Sequence, residues 1–168
     1  MKNLLSCISL LMIFLLSVGC KEDNVQSKDI FLGGVIVVQS TNIRISDKAG
    51  NDLLNPANEN RIKDFKVFYV RDGQKKLFLV PNLDHPMGYQ IVKHGLENYY
   101  YLKVLLDGGK GVKETTTYLQ VENGEIDAIK CKYMENTGAS VISERVWFND
   151  QLMWYAGKGT ESSFEIIK

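Results

Sequence analysis

A chain of 168 residues with 45% hydrophobic and 24% charged side chains, only 3 Pro and 14 Gly, is long enough for one domain and too apolar to be disordered, collagen-like or low-complexity. Lys+Arg 20 against Asp+Glu 20 leaves no phosphate-neutralising excess, which argues against a nucleic-acid partner. The first predicted element is a leader. Lys2 supplies a short positive start, Leu4 to Val18 is almost wholly apolar, and Gly19 is a small residue just before Cys20. That order is the layout of a secretory signal over residues 1–19, and the run is too short for a membrane span, which needs about 20 apolar residues.

Leu16-Ser17-Val18-Gly19-Cys20 resembles the bacterial lipobox, with Ser17 where many boxes carry Leu, and relaxed boxes of this kind resemble those of Bacteroidetes lipoproteins. The resemblance implies that Cys20 is acylated and becomes the mature N-terminus, holding the protein to the membrane through its lipid. Two or three acyl chains anchor firmly where one does not, at about 0.8 kcal/mol per buried methylene. Lys21-Glu22-Asp23 looks like a short export signal of the same lipoproteins, which implies an outer-membrane location with possible surface exposure. Residues 20–29 are polar and aperiodic and read as a flexible tether. With Cys7 in the leader and Cys20 lipidated, only Cys131 remains, so no internal disulfide is expected. Ile129, Cys131 and Tyr133 alternate with Lys130 and Lys132, which points Cys131 inward on a strand as a small apolar side chain.

From residue 30 to 168 the sequence predicts one all-β domain. Apolar, β-branched and aromatic residues alternate in short runs at Val35–Ser46, Asp64–Arg71, Lys75–Val80, Tyr89–His94, Tyr99–Leu106, Thr115–Glu122, Ile126–Met134, Val141–Phe148 and Leu152–Tyr155, with a terminal run at Phe164–Ile167. In Asp64–Arg71, Phe65, Val67 and Tyr69 form one face, and the less polar Phe68 and Val70 on the other suit a sandwich interior or a sheet partly covered by a loop. Asp72-Gly73, Asn123-Gly124 and the weaker Asn149-Asp150 read as hairpin turns that demand positive φ. Hairpins between neighbours predict an antiparallel β-sandwich of about eight or nine strands. Ser46 to Pro56, the following lysine-alternating strand and the Val146–Asn149 and Leu152–Trp154 hairpin resemble a set of uncharacterised Bacteroidetes lipoprotein domains. That likeness implies an immunoglobulin-like or prealbumin-like sandwich and no particular activity.

Chemistry-bearing patterns are sparse. His85, in Asp84-His85-Pro86, and His94 form neither a zinc-hydrolase pair nor part of a nucleophile elbow. Asp107-Gly108-Gly109-Lys110-Gly111 lacks the Ser or Thr and the helix of a phosphate-binding loop, and reads as a hairpin loop. Asp47, Asn51, Asp52 and Asn55 cluster oxygen ligands around Gly50, so a structural calcium competes there with ordinary turn chemistry; no other cofactor is indicated. A regular two-residue turn at Asn149-Asp150 would place Arg145, Trp147, Leu152 and Trp154 on one face and Val146, Phe148, Met153 and Tyr155 on the core face. It would also rest Arg145 on Trp154. The expected function is a non-catalytic, envelope-anchored binding or accessory domain. The alternatives are a glycan-binding module using Trp147, Trp154, Arg145 and Tyr155, and a minor hydrolase around Asp84 and His85.

Overall fold

The computed structural model describes residues 36–159 and 161–168; the expected leader, Cys20 and the expected tether lie outside them. Among the described residues there are no helices, and eleven strands form two sheets. The larger sheet contains β1 (Val37–Val38), β9 (Val141–Phe148), β8 (Ile126–Tyr133), β7 (Glu114–Val121), β3 (Phe65–Arg71) and β4 (Gln74–Leu77) in that spatial order, with β10 (Gln151–Tyr155) also paired to β9. The smaller sheet has the order β11 (Ser163–Ile167), β2 (Ser40–Ser46), β6 (Tyr100–Leu105) and β5 (Tyr89–Lys93).

Two features correct the sequence expectation. The run Val35–Ser46 is not one strand. It breaks at Gln39, whose carbonyl accepts the Leu106 amide, so β1 joins the larger sheet and β2 the smaller. The sheets are also mixed rather than purely antiparallel, because β1 runs parallel to β9 and β11 parallel to β2. Short-range turn signals reveal hairpins, but they carry no information about strands paired across more than a hundred residues. The other pairings are antiparallel, and five of them, β3–β4, β5–β6, β7–β8, β8–β9 and β9–β10, join strands consecutive in the chain.

Period-two alternation explains the core. Ile43 and Ile45 of β2, Leu102 and Val104 of β6, Val67 of β3, Leu119 of β7, Ile129 and Cys131 of β8 and Val146 of β9 are fully buried in one cluster. The two sheets meet through Phe65 and Tyr89, with ring centroids 5.4 Å apart, and through Phe148 and Phe164, 5.8 Å apart. The Tyr69 hydroxyl also donates to the Leu105 carbonyl at 3.0 Å. Cys131 is free and buried, as its alternation with lysines implies, and burial pushes its thiol pKa up.

Turn chemistry decides the hairpins. Asp72 and Gly73 both take positive φ between Arg71 and Gln74, the geometry of a two-residue turn. At the β7–β8 corner the left-handed residue is Glu122 and not Gly124, so the loop from Val121 is longer than a two-residue turn. Asn149 and Asp150 both adopt positive φ although neither is glycine. Asn149 is held there: its Oδ1 accepts the Ala128 amide at 2.8 Å, and its Nδ2 donates to Asp127 Oδ1 at 2.8 Å. Asp127 is buried and also accepts the Lys168 ammonium at 2.7 Å, tying this turn to the last residue of the chain.

Candidate functional site

The β9–β10 hairpin starts in the expected register, Phe148 opposite Gln151 and Trp147 opposite Leu152. It then slips. A bulge at Met153 sets Trp154 opposite Val146 and Tyr155 opposite Arg145. One extra residue exchanges the faces of everything beyond it. Trp154 therefore enters the core at 5% exposure, and Tyr155, expected inside, stands outside at 49%. The expected Arg145–Trp154 stack is replaced. The Lys130 ammonium lies over Trp147, 4.7 Å from the ring centroid, and Arg145 instead reaches Glu144 at 3.6 Å.

Of the predicted ligand-binding residues, Trp147, Arg145 and Tyr155 share the solvent-facing side of the larger sheet, and Trp154 does not. Cross-strand register extends this surface. Lys130 pairs with both Trp147 and Thr116, Tyr118 with Phe68, Phe68 with Leu77, and Val70 with Lys75. The Lys75 ammonium lies over the Tyr118 ring at 4.0 Å. Phe68 and Val70 thus sit on an open face and not beneath a covering loop: Val70 is exposed and Phe68 half-buried. Leu77 and Leu152, 53% and 48% exposed, flank the rings. The face is a broad platform of aromatic rings with lysines laid over two of them.

Charge on this platform is uneven. Lys66, Lys75, Lys130, Lys132 and Arg145 face outward with Glu114 and Glu144. Glu144 occupies a second irregularity, where the register shifts between Lys132 and Tyr133. There it pairs with Lys132 at 2.8 Å, and the hydrogen bond from Lys132 holds its carboxyl below the usual range. Lys66 reaches Asp64 at 3.6 Å. The sequence does not mark Lys75, Tyr118 or Leu77 as ligand contacts, marks Lys130 only as an outward neighbour of Cys131, and gives Phe68 no binding role. Alternation alone turned them outward, and the Asp72-Gly73 hairpin register was the available signal for placing Lys75 beside Val70 and Leu77 beside Phe68.

The remaining candidates lie away from this platform. Asp47 Oδ1 accepts the amides of Ala49 and Asn51 at 2.9 and 2.8 Å, and its Oδ2 accepts Asn51 Nδ2 at 2.8 Å. These bonds from Asn51 keep the Asp47 carboxyl below its ordinary pKa. Asp52 Oδ1 accepts the Leu54 amide and Oδ2 the Tyr100 amide, at 2.8 and 2.7 Å, and Asn55 Oδ1 accepts the Ala57 amide at 2.9 Å. Oxygens of Asp47, Asp52 and Asn55 thus accept backbone amides of their own loop and of β6, and Asp47 Oδ2 accepts the side-chain amide of Asn51. Asp84 and His85 lie in an exposed turn beside a shallow hollow of about 230 Å³ lined by Leu83, Tyr89, Lys103 and Leu105. The glycine-rich loop is anchored at Asp107, whose carboxylate takes a two-pronged contact from Arg71 at 2.6 and 2.9 Å. Its carbonyl accepts the hydroxyls of Tyr133 and Thr115.

No protein-family model matches the chain, and comparison with curated proteins and with solved structures finds no match to either. The functional reading therefore depends on the surface itself.

Proposed function

We propose that this protein is a cell-envelope lipoprotein, acylated at Cys20, whose folded domain is a non-catalytic binding module using the outer face of the larger sheet. The observation that carries the reading is the platform around Trp147. Rings on β10, β9, β7 and β3 (Tyr155, Trp147, Tyr118 and Phe68) stand partly exposed beside aliphatic side chains, where a fold gains nothing by keeping them wet. Contiguous exposed aromatic surface marks an interaction site where singly scattered rings do not. The two facing sheets support reading the domain as a sandwich of the immunoglobulin-like or prealbumin-like kind.

A glycan is the ligand class that the platform favours. Tyr155 and the parts of Trp147 and Tyr118 that Lys130 and Lys75 leave uncovered offer ring surface on an open sheet face, which suits a chain of sugar rings lying down better than a small molecule needing a deep pocket. Two experiments test the reading. Metabolic labelling with palmitate should mark the wild-type chain and not Cys20→Ser; label-free wild type overturns the anchor. Immobilised envelope glycans should retain the wild-type chain and release Trp147→Ala and Tyr155→Ala; equal retention of the variants overturns the face.

A further inference from the structure

We infer that the ligand is an acidic glycan, carrying carboxylate or sulfate groups, laid across the strands so that its negative groups meet Lys130 and Lys75. This rests on the outer face being the binding surface. Among the ion pairs of the described residues, Lys132 and Arg145 are joined to Glu144, and Lys66 to Asp64. Lys130 and Lys75 rest instead on the rings of Trp147 and Tyr118. A ring quadrupole steers an ammonium without cancelling its charge, so these two lysines hold positive charge at fixed positions on the platform.

Their placement selects among ligands. A neutral sugar stacks on an uncovered ring, and an ammonium over that ring competes for the same space. An acidic sugar pairs with the ammonium itself, so the lysine over the ring is its contact and not its obstacle. A folded protein partner fits poorly, because the cores of protein interfaces are depleted in lysine. Lys130 lies on β8 and Lys75 on β4, with β7 and β3 between them. Three strand spacings of about 4.8 Å separate their backbones by about 14 Å. Between them in the same row are Thr116, paired with Lys130, and Val70, paired with Lys75, both small enough to leave a shallow floor. Tyr118 and Phe68 border that floor on one side.

Calorimetric titration of the full chain in detergent with polygalacturonate, alginate and chondroitin sulfate tests the inference, against dextran and fully methyl-esterified polygalacturonate. At least one acidic polymer should bind, the neutral ones should not, and binding should weaken steeply as salt rises. The double variant Lys130→Gln/Lys75→Gln should bind roughly tenfold more weakly. Lys103→Gln, on the outer side of the smaller sheet, should bind as wild type. Equal binding of dextran or of the esterified polymer overturns the acidic class while leaving the platform in place. Acidic binding that survives both the double variant and Trp147→Ala overturns the platform as well. Binding to vesicles containing 30% anionic lipid with none to the acidic polymers assigns the face to a membrane surface and overturns the glycan, as does silence toward every probe.

Discussion

Truncating each of the two tryptophans in turn tests the bulge at Met153, and with it the identity of the platform. Trp154 is 5% exposed and belongs to the core cluster. Its replacement by Ala should cost about 3–5 kcal/mol, the range for large aromatic truncations in a packed interior. At about 2–4 °C per kcal/mol for a domain of this size, melting should fall by roughly 6–20 °C. Trp147 is only partly buried, and beyond that contact it loses the Lys130 interaction, worth about 0.5–1 kcal/mol at an exposed site. Trp147→Ala should therefore lower melting by only a few degrees. Differential scanning calorimetry measures both. The indole Nε1 of Trp154 has no hydrogen-bond acceptor among the described residues, so Trp154→Phe forfeits no polar contact and should be far milder than Trp154→Ala. Fluorescence adds an independent reading: in Trp154→Phe the remaining indole should be red-shifted and quenched by acrylamide, and in Trp147→Phe it should be blue-shifted and protected. Because Met153 is the extra residue, its deletion leaves Trp154 opposite Val146. That deletion should keep the protected emission, whereas deleting Tyr155 should not restore any register. An unbulged hairpin predicts the reverse order of destabilisation, and finding Trp147→Ala the more damaging change would refute the reasoning.

Further tests address the loops and the buried hydroxyls. A Cβ at Gly108 would lie 2.5 Å from the Tyr133 hydroxyl and 2.8 Å from Gln39 Nε2, so Gly108→Ala should destabilise by about 1–3 kcal/mol in urea titration; an unchanged midpoint would show that the loop yields freely. Burial raises the pKa of Cys131, Tyr69 and Tyr133 above ordinary values of 9.0 for the thiol and 10.0 for the phenols. The unfolded chain then releases these protons first, so stability is complete below pH 9 and declines as pH rises through 9–11. Tyr133→Phe should flatten that alkaline slope, and an identical slope would remove Tyr133 from the account. Calcium at millimolar concentration, or its chelation, should leave melting unchanged, since the Asp47 and Asp52 oxygens already accept backbone amides. A calcium-dependent rise would place the ion in this loop.

Much of the strand map was legible because it depends on local chemistry. Ile129, Cys131 and Tyr133 alternate with lysines, and the alternation alone fixes which side is buried. Asp72-Gly73 specifies both its turn and the pairing of Phe68 with Leu77. Asn149-Asp150 is less obvious, yet buried Asp127 supplies the partner that lets Asn149 hold a left-handed backbone. What escaped the sequence has non-local causes. No residue near Gln39 announces that the chain leaves one sheet for the other. Nothing in Gln151–Tyr155 marks a bulge, since Met153 and Trp154 fit either register by hydropathy, and that ambiguity misassigned Trp154 and Tyr155 together. Lys130 over Trp147 and Lys75 over Tyr118 escaped for the same reason: cross-strand neighbours depend on registers among β9, β8, β7, β3 and β4, only some of which a turn sequence encodes.

The parallel pairing of β2 with β11 has a mechanical consequence. Ser163 to Ile167 lie beside Asn42 to Ser46 in one direction, so tension drawn between the start of β2 and the end of β11 acts along the ladder. Every rung must then slide at once, where an antiparallel hairpin pulled at its open end tears rung by rung. A domain stretched between those two strands would resist as a shear clamp, with a rupture force well above that of its own β9–β10 hairpin pulled apart.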